Sequence, residues 1–134
     1  MARQMNYIFD TTAFVAFFSN EKGADKITKL FTKIEEKKLE GYISPITLTE
    51  LYYLYAKKNI SLANERIEAI LLSRLKLVKI DAELTLRAEK YKDLRVPLAN
   101  ALVAAASKEY EATIVGHDSI FEKMDVELLD YEIG

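Results

Sequence analysis

The sequence contains no cysteine, which excludes disulfides, thiolate metal sites and a cysteine nucleophile and fits a cytoplasmic protein. It also lacks an apolar run long enough to span a bilayer: lysines interrupt residues 27–39, and polar residues break the other apolar stretches. No signal peptide is read at its start. A strongly basic surface is missing too. Nineteen Lys and Arg face 21 Asp and Glu, a net charge of −2, so a polyanion has to meet a local basic patch or a bound metal. Histidine occurs once, at His117, and Gln4 is the one glutamine beside many Glu and Lys, a composition like that of thermophile proteins. Repeats, low-complexity segments and linkers are absent. What remains is 134 residues, half of them hydrophobic, enough for one domain over 1–134 with a substantial core.

The first apolar run, Tyr7-Ile8-Phe9, ends in Asp10 and is followed by Thr11, Thr12 and a second apolar run to Phe18. Strand formers in an unbroken run predict a parallel strand covered on both faces, then a short buried helix over 12–18. Ile27, Leu30, Phe31 and Ile34 recur at helical spacing, and Gly41 is the expected cap of that helix. Ser44-Pro45 predicts an N-cap and first turn for a helix over 45–57. That helix carries two apolar stripes, one of Leu48, Leu51, Tyr52 and Tyr55 and the other of Ile46, Tyr53 and Leu54. Glu50 has mostly uncharged neighbours on it and must be solvated, paired or liganded. Ser61 is read as the cap of a helix to Leu72, with Ile67, Ile70 and Leu71 inward. A strand over 75–80, a helix over 82–94 capped by Asp81, and an alanine-rich helix opened by Pro97 follow. Asn100 lies on an apolar side of the last of these. Thr113-Ile114-Val115 is a strand stopped by Gly116, Ile120-Phe121 begins a helical turn, and 126–129 form a final strand. The alternation predicts an α/β fold, a three-layer α/β/α arrangement with a central parallel sheet of four to five strands.

In such sheets chemistry collects at the carboxyl ends of the strands. Asp10 and Asp118 each follow an apolar strand, Glu50 sits early on a helix after a short strand, and Asn100 starts another helix. Each has a plainer reading: Asp10 and Asp118 as helix caps, Glu50 as a surface glutamate, Asn100 as a satisfied buried amide. Convergence favours the functional one for the three acids, and Asn100 stands evenly between the two. Two like charges ~4 Å apart cost roughly 4 kcal/mol at an effective dielectric of 20. Protonation of an acid or a basic partner would relieve this, as would a hard divalent cation such as Mg²⁺ or Mn²⁺. The local sequence implies no nearby Lys or Arg, which favours the cation, and its waters supply a nucleophile for phosphodiester hydrolysis.

The segments DTTAFVAFF, SPITLTEL, VPLANALVAAAS and ATIVGHDSIF, in that order and spacing, resemble the PIN-domain family, and within it the small VapC-type toxin ribonucleases. The likeness spans essentially the whole chain. It implies a PIN-like fold and an Mg²⁺- or Mn²⁺-dependent endoribonuclease acting on RNA, with a cognate antitoxin and commonly a homodimer. The family's metal-binding acids match Asp10, Glu50 and Asp118, with Thr11 or Thr12 as the hydroxyl after the first. Two positions depart: Asn100 replaces the Asp of the alanine-rich helix, and Gly116 replaces the Thr of the last motif. Asn100 ligates weakly or through water and adds no charge. Three acids carry −3, so one divalent ion leaves about −1 and two leave +1. One well-bound metal is therefore expected.

His117 is read as an exposed loop residue rather than a general base. Tyr52, Tyr53 and Tyr55 are candidates for stacking RNA bases, although core, dimer or antitoxin contacts suit them better. An alternative to the nuclease is an RNA- or antitoxin-binding module weakened by Asn100. A phosphoacceptor receiver domain is disfavoured, because Asn6 to Phe18 holds a single acid and Val115-Gly116-His117 holds no lysine.

Overall fold

The computed structural model describes residues 5–133. Strand β1 (Asn6–Phe9) leads into α1 (Thr11–Phe18) and α2 (Ala24–Glu35), then β2 (Glu40–Ile43), α3 (Pro45–Ala56) and α4 (Ile60–Leu72). Strand β3 (Lys76–Leu77), α5 (Ala82–Ala88), a 3₁₀ segment (Glu89–Leu94) and α6 (Leu98–Glu109) follow. The chain closes with β4 (Thr113–Val115), a second 3₁₀ segment (Ser119–Lys123) and β5 (Leu128–Leu129). The sheet order is β3-β2-β1-β4-β5, every pairing parallel. The first strand of the chain is thus its centre.

Successive strand residues face opposite sides, and β1 shows why the protein has three layers. Ile8 joins Ile114 and the alanines of α6 in one buried cluster. Phe9 joins Val115, Phe14, Ile27 and Leu51 in the other. Ala101, Ala104 and Ala105 are buried, since small side chains let α6 lie close to the sheet. The expected three-layer parallel α/β/α fold is what forms, with five strands.

Several local expectations are corrected. Gly41 does not end a helix: it lies inside β2, where a Cβ would come within 2.5 Å of Ile34. The chain leaves α2 through Lys37, at φ 64°. Asn59, not Ser61, caps α4, its Oδ1 accepting from Leu62 N at 3.1 Å. Leu71 is 55 % exposed rather than inward, while Ile70 is buried. The third strand keeps only Lys76 and Leu77, the last only Leu128 and Leu129, and the helix after Asp81 tightens into 3₁₀ form at Glu89. On α3 the first stripe holds at Leu51 and Tyr55, but Tyr52 is partly exposed, as are Tyr53 and Leu54 of the second.

Candidate active site

Because β1 and β4 are adjacent and parallel, with Phe9 level with Val115, the residues that follow them emerge side by side. Asp10 N donates to Val115 O at 3.1 Å, fixing the first acid against the end of the neighbouring strand. Ser44 and Pro45 turn the chain from β2 into α3, carrying Glu50 to the same sheet edge. Asn100 comes in from the first turn of α6. Asp10, Thr11, Thr12, Thr47, Glu50, Ala99, Asn100, Val103 and Asp118 line one cleft of about 60 Å³, a space for an ion and its waters rather than for a nucleotide. The lining contains no Lys, Arg or His.

The cap and functional readings of the two aspartates are not alternatives. Asp10 Oδ1 accepts from Ala13 N at 3.0 Å and from Thr12 Oγ1 at 2.6 Å, capping α1. Its Oδ2 lies against Gly116, and the carboxylate lines the cleft. Asp118 Oδ1 accepts from Ile120 N at 3.0 Å, capping the 3₁₀ turn, while Oδ2 accepts from Asn100 Nδ2 at 3.3 Å. Each aspartate thus caps a turn through Oδ1 while its carboxylate lines the cleft. Burial pushes the Asp10 carboxyl up to about 6, against the lowering effect of Thr12 and Ala13, with the charge of Asp118 adding to the rise. At 4 % exposure, Asp10 is a carboxylate held in a place that penalises its charge.

Glu50 behaves differently. It is exposed at the rim, and its Oε1 accepts from Thr11 Oγ1 at 2.6 Å. The expectation that it be paired or solvated is met by both. The hydroxyls after Asp10 thus divide their work: Thr12 orients Asp10, and Thr11 holds Glu50. Among the described residues no group of three or more His, Cys, Asp or Glu closes around a single point. The cleft instead offers two carboxylates, one amide and Glu50 at its edge. This all-oxygen donor set fits a hard divalent cation and no soft one.

Three residues at the site carried no functional role in the sequence reading. Thr47 is buried and lines the cleft one helical turn before Glu50; that i, i−3 spacing was its signal. Gly116, noted only as a departure from a motif, is required by space: a Cβ there would lie 2.5 Å from Asp10 Oδ2. The main-chain N–H of His117 donates to Thr12 Oγ1 at 3.0 Å. Its ring is outside the cleft lining, bonded instead to Asp130 at 2.9 Å and Glu132 at 3.1 Å, and the Asp130 bond holds the imidazole above its ordinary value.

The model of the PIN domain matches residues 7–127. Among solved structures, VapBC2 from Rickettsia felis, bound to a DNA fragment from their promoter, is similar to this chain at a TM-score of 0.76 and 22 % identity, covering 93 % of this chain and 98 % of that one. VapBC-1 from nontypeable Haemophilus influenzae gives 0.73 and 17 % identity over 95 % and 98 %. VapC20 from Mycobacterium tuberculosis, a toxin that cleaves the sarcin-ricin loop, gives 0.72 and 16 % over 95 % and 98 %. Comparison with curated proteins returned no match. A central β1 followed by a buried Asp10 that caps α1, four polar positions gathered at one sheet edge, and a family match over most of the length lead to one conclusion: the chain belongs to the PIN domain family.

Proposed function

We propose that residues 1–134 act as a single-domain Mg²⁺- or Mn²⁺-dependent endoribonuclease, the cytoplasmic toxin of a VapBC-type toxin–antitoxin pair. The observation that carries this reading is the buried Asp10 in a cleft shared with Asp118, Asn100 and Glu50 and free of basic side chains. Such a site favours a cation, and the described helices include none long and apolar enough to cross a membrane. Asp10 and Asp118 would hold the ion directly, Asn100 through its carbonyl oxygen or a water, and Glu50 from the rim. When bound, the ion lowers the pKa of a water and offsets charge on a phosphodiester. Glu50, held at the rim by the Thr11 hydroxyl, would be placed to accept a proton from an attacking water.

Cleavage of defined RNAs tests this. Turnover is expected with Mg²⁺ or Mn²⁺ and absent in EDTA. A protein that binds Mn²⁺ at the cleft and leaves every RNA intact would rule the nuclease out.

A binding module is the second reading, favoured by the amide of Asn100 beside Asp118. Replacing Asn100 by Asp exchanges a 3.3 Å hydrogen bond for a like-charge contact worth roughly 4 kcal/mol at ~4 Å and an effective dielectric of 20. Asn100→Asp should therefore melt lower than the parent in chelator and higher in Mn²⁺, and cleave RNA at least about tenfold faster, about 1.4 kcal/mol in the barrier. An unchanged rate would mean that the amide serves as well as the acid.

For the antitoxin partner, support comes from an apolar cleft of about 230 Å³ between α1, α2 and α4, lined by Phe14, Phe17, Phe18, Phe31, Ile70 and Leu75 among others. A partner's apolar helix suits it. The exposed Tyr53 and Leu54 of α3 suit a homodimer contact, which sedimentation of the isolated protein would reveal.

A further inference from the structure

The four C-terminal described residues are tied to the loops that carry the acids. Tyr131 is 4 % exposed, and its hydroxyl donates to Thr12 O at 3.0 Å. Gly23, at φ 85°, lies directly beneath it: a Cβ there would come within 2.4 Å of Tyr131 O. On either side, Asp130 and Glu132 hold the His117 ring, and Lys26 donates to Ile133 O. The Tyr131 and Lys26 bonds each join residues more than a hundred apart in sequence, and Tyr131 and His117 both bond Thr12. The same residue receives the His117 N–H on its side-chain oxygen at 3.0 Å and donates that hydroxyl to Asp10 Oδ1 at 2.6 Å.

We infer that Tyr131 is a positioning residue, its hydroxyl anchoring Thr12 and, through the Thr12 side chain, fixing the carboxylate of Asp10. The inference rests on the proposed metal site for its consequence but not for its geometry. A ring alone would fill the space above Gly23; the hydroxyl does something more. It holds the carbonyl of the residue whose side chain orients the acid, one bond removed from the cleft. Side chains that orient ligands in this way commonly alter metal affinity by about 10–100-fold when changed. Tyr131 itself does not line the cleft.

Tyr131→Phe tests the hydroxyl without emptying the space above Gly23. Two measurements separate this inference from the nuclease reading. In the metal-free protein, hydrogen exchange at the His117 amide should accelerate by about tenfold while the amides of β1 stay protected. Calorimetric Mn²⁺ titration should show the dissociation constant raised about tenfold, with the melting temperature in chelator unchanged. In a Thr12→Val background the same Tyr131→Phe change should add nothing to the loss of Mn²⁺ affinity, because the link it acts through is gone. Unchanged exchange at His117, or an affinity loss that persists in the Thr12→Val background, overturns the inference. A parent protein that binds no Mn²⁺ overturns the metal site instead, and the exchange measurement then decides the role of Tyr131 alone.

Discussion

Asp10→Asn should abolish the proposed Mn²⁺ binding and RNA cleavage and yet make the metal-free protein more stable at neutral pH. The sign follows from the direction of the shift. Burial raises the folded-state carboxyl from 3.8 to about 6, so the fold holds its proton more tightly than the unfolded chain does. The stability linked to that proton is complete below about pH 4 and is lost as pH rises through about 6. At 1.36 kcal/mol per pH unit, the ionised carboxylate costs the fold about 3 kcal/mol at pH 7 and above. Asparagine keeps an oxygen for Ala13 N and the Thr12 hydroxyl and removes the charge. Denaturant melts in EDTA at pH 8 should show the variant ahead by up to about 3 kcal/mol, and melts at pH 4 should show the two proteins level. Adding Mn²⁺ should raise the parent and leave the variant unmoved. If the variant is the less stable protein at pH 8, the desolvation account of Asp10 is wrong.

Gly116→Ala has the second large effect, through space rather than charge. The new Cβ would lie 2.5 Å from Oδ2, 2.6 Å from Cγ and 2.9 Å from Oδ1 of Asp10, so the whole carboxylate stands in its way. Asp10 cannot swing aside freely, because Thr12 and Ala13 hold it and its own N–H is bonded to Val115. Forcing a methyl into such a contact costs about 1–3 kcal/mol, and a displaced acid should lose Mn²⁺ affinity by roughly 10–100-fold. A double-mutant cycle isolates the cause. In an Asp10→Ala background the carboxylate is gone, and Gly116→Ala should then cost little stability. An undiminished cost would place the strain elsewhere. Gly116 is outside the left-handed region, since Gly23 is the one described glycine with positive φ; its requirement is for room.

The sequence showed the fold class because each layer leaves a local mark. Strand formers in Tyr7-Ile8-Phe9 and Thr113-Ile114-Val115, helical spacing in Ile27–Ile34, and a Ser44-Pro45 start are decided by neighbours a few residues apart. Ends were harder to read. Asn59 and Ser61 both suit an N-cap, and the choice fell to whichever backbone already stood extended, Asn59 at φ −164° and ψ 116°. Gly41 read as a stop because a glycine after a helix commonly is one; its real constraint, Ile34 on one side and Leu75 on the other, comes from residues distant in sequence.

The site divides in the same way. Asp10, Glu50, Asn100 and Asp118 were legible as polar residues at strand and helix junctions, and parallel topology brings such junctions to one edge. Sequence alone therefore determined the family, the parallel α/β architecture and the four polar residues that come together at the cleft. Tertiary structure decided what each does there: that Asp10 and Asp118 each cap a turn and face the cleft at once, that Thr12 serves Asp10 while Thr11 holds Glu50, that Gly116 leaves room for a carboxylate, and that Tyr131 reaches Thr12. The reason is one of range. Periodicity and capping are set within a turn or two, whereas burial, close approach and hydrogen bonds such as Tyr131 to Thr12 join residues that the sequence places 119 apart.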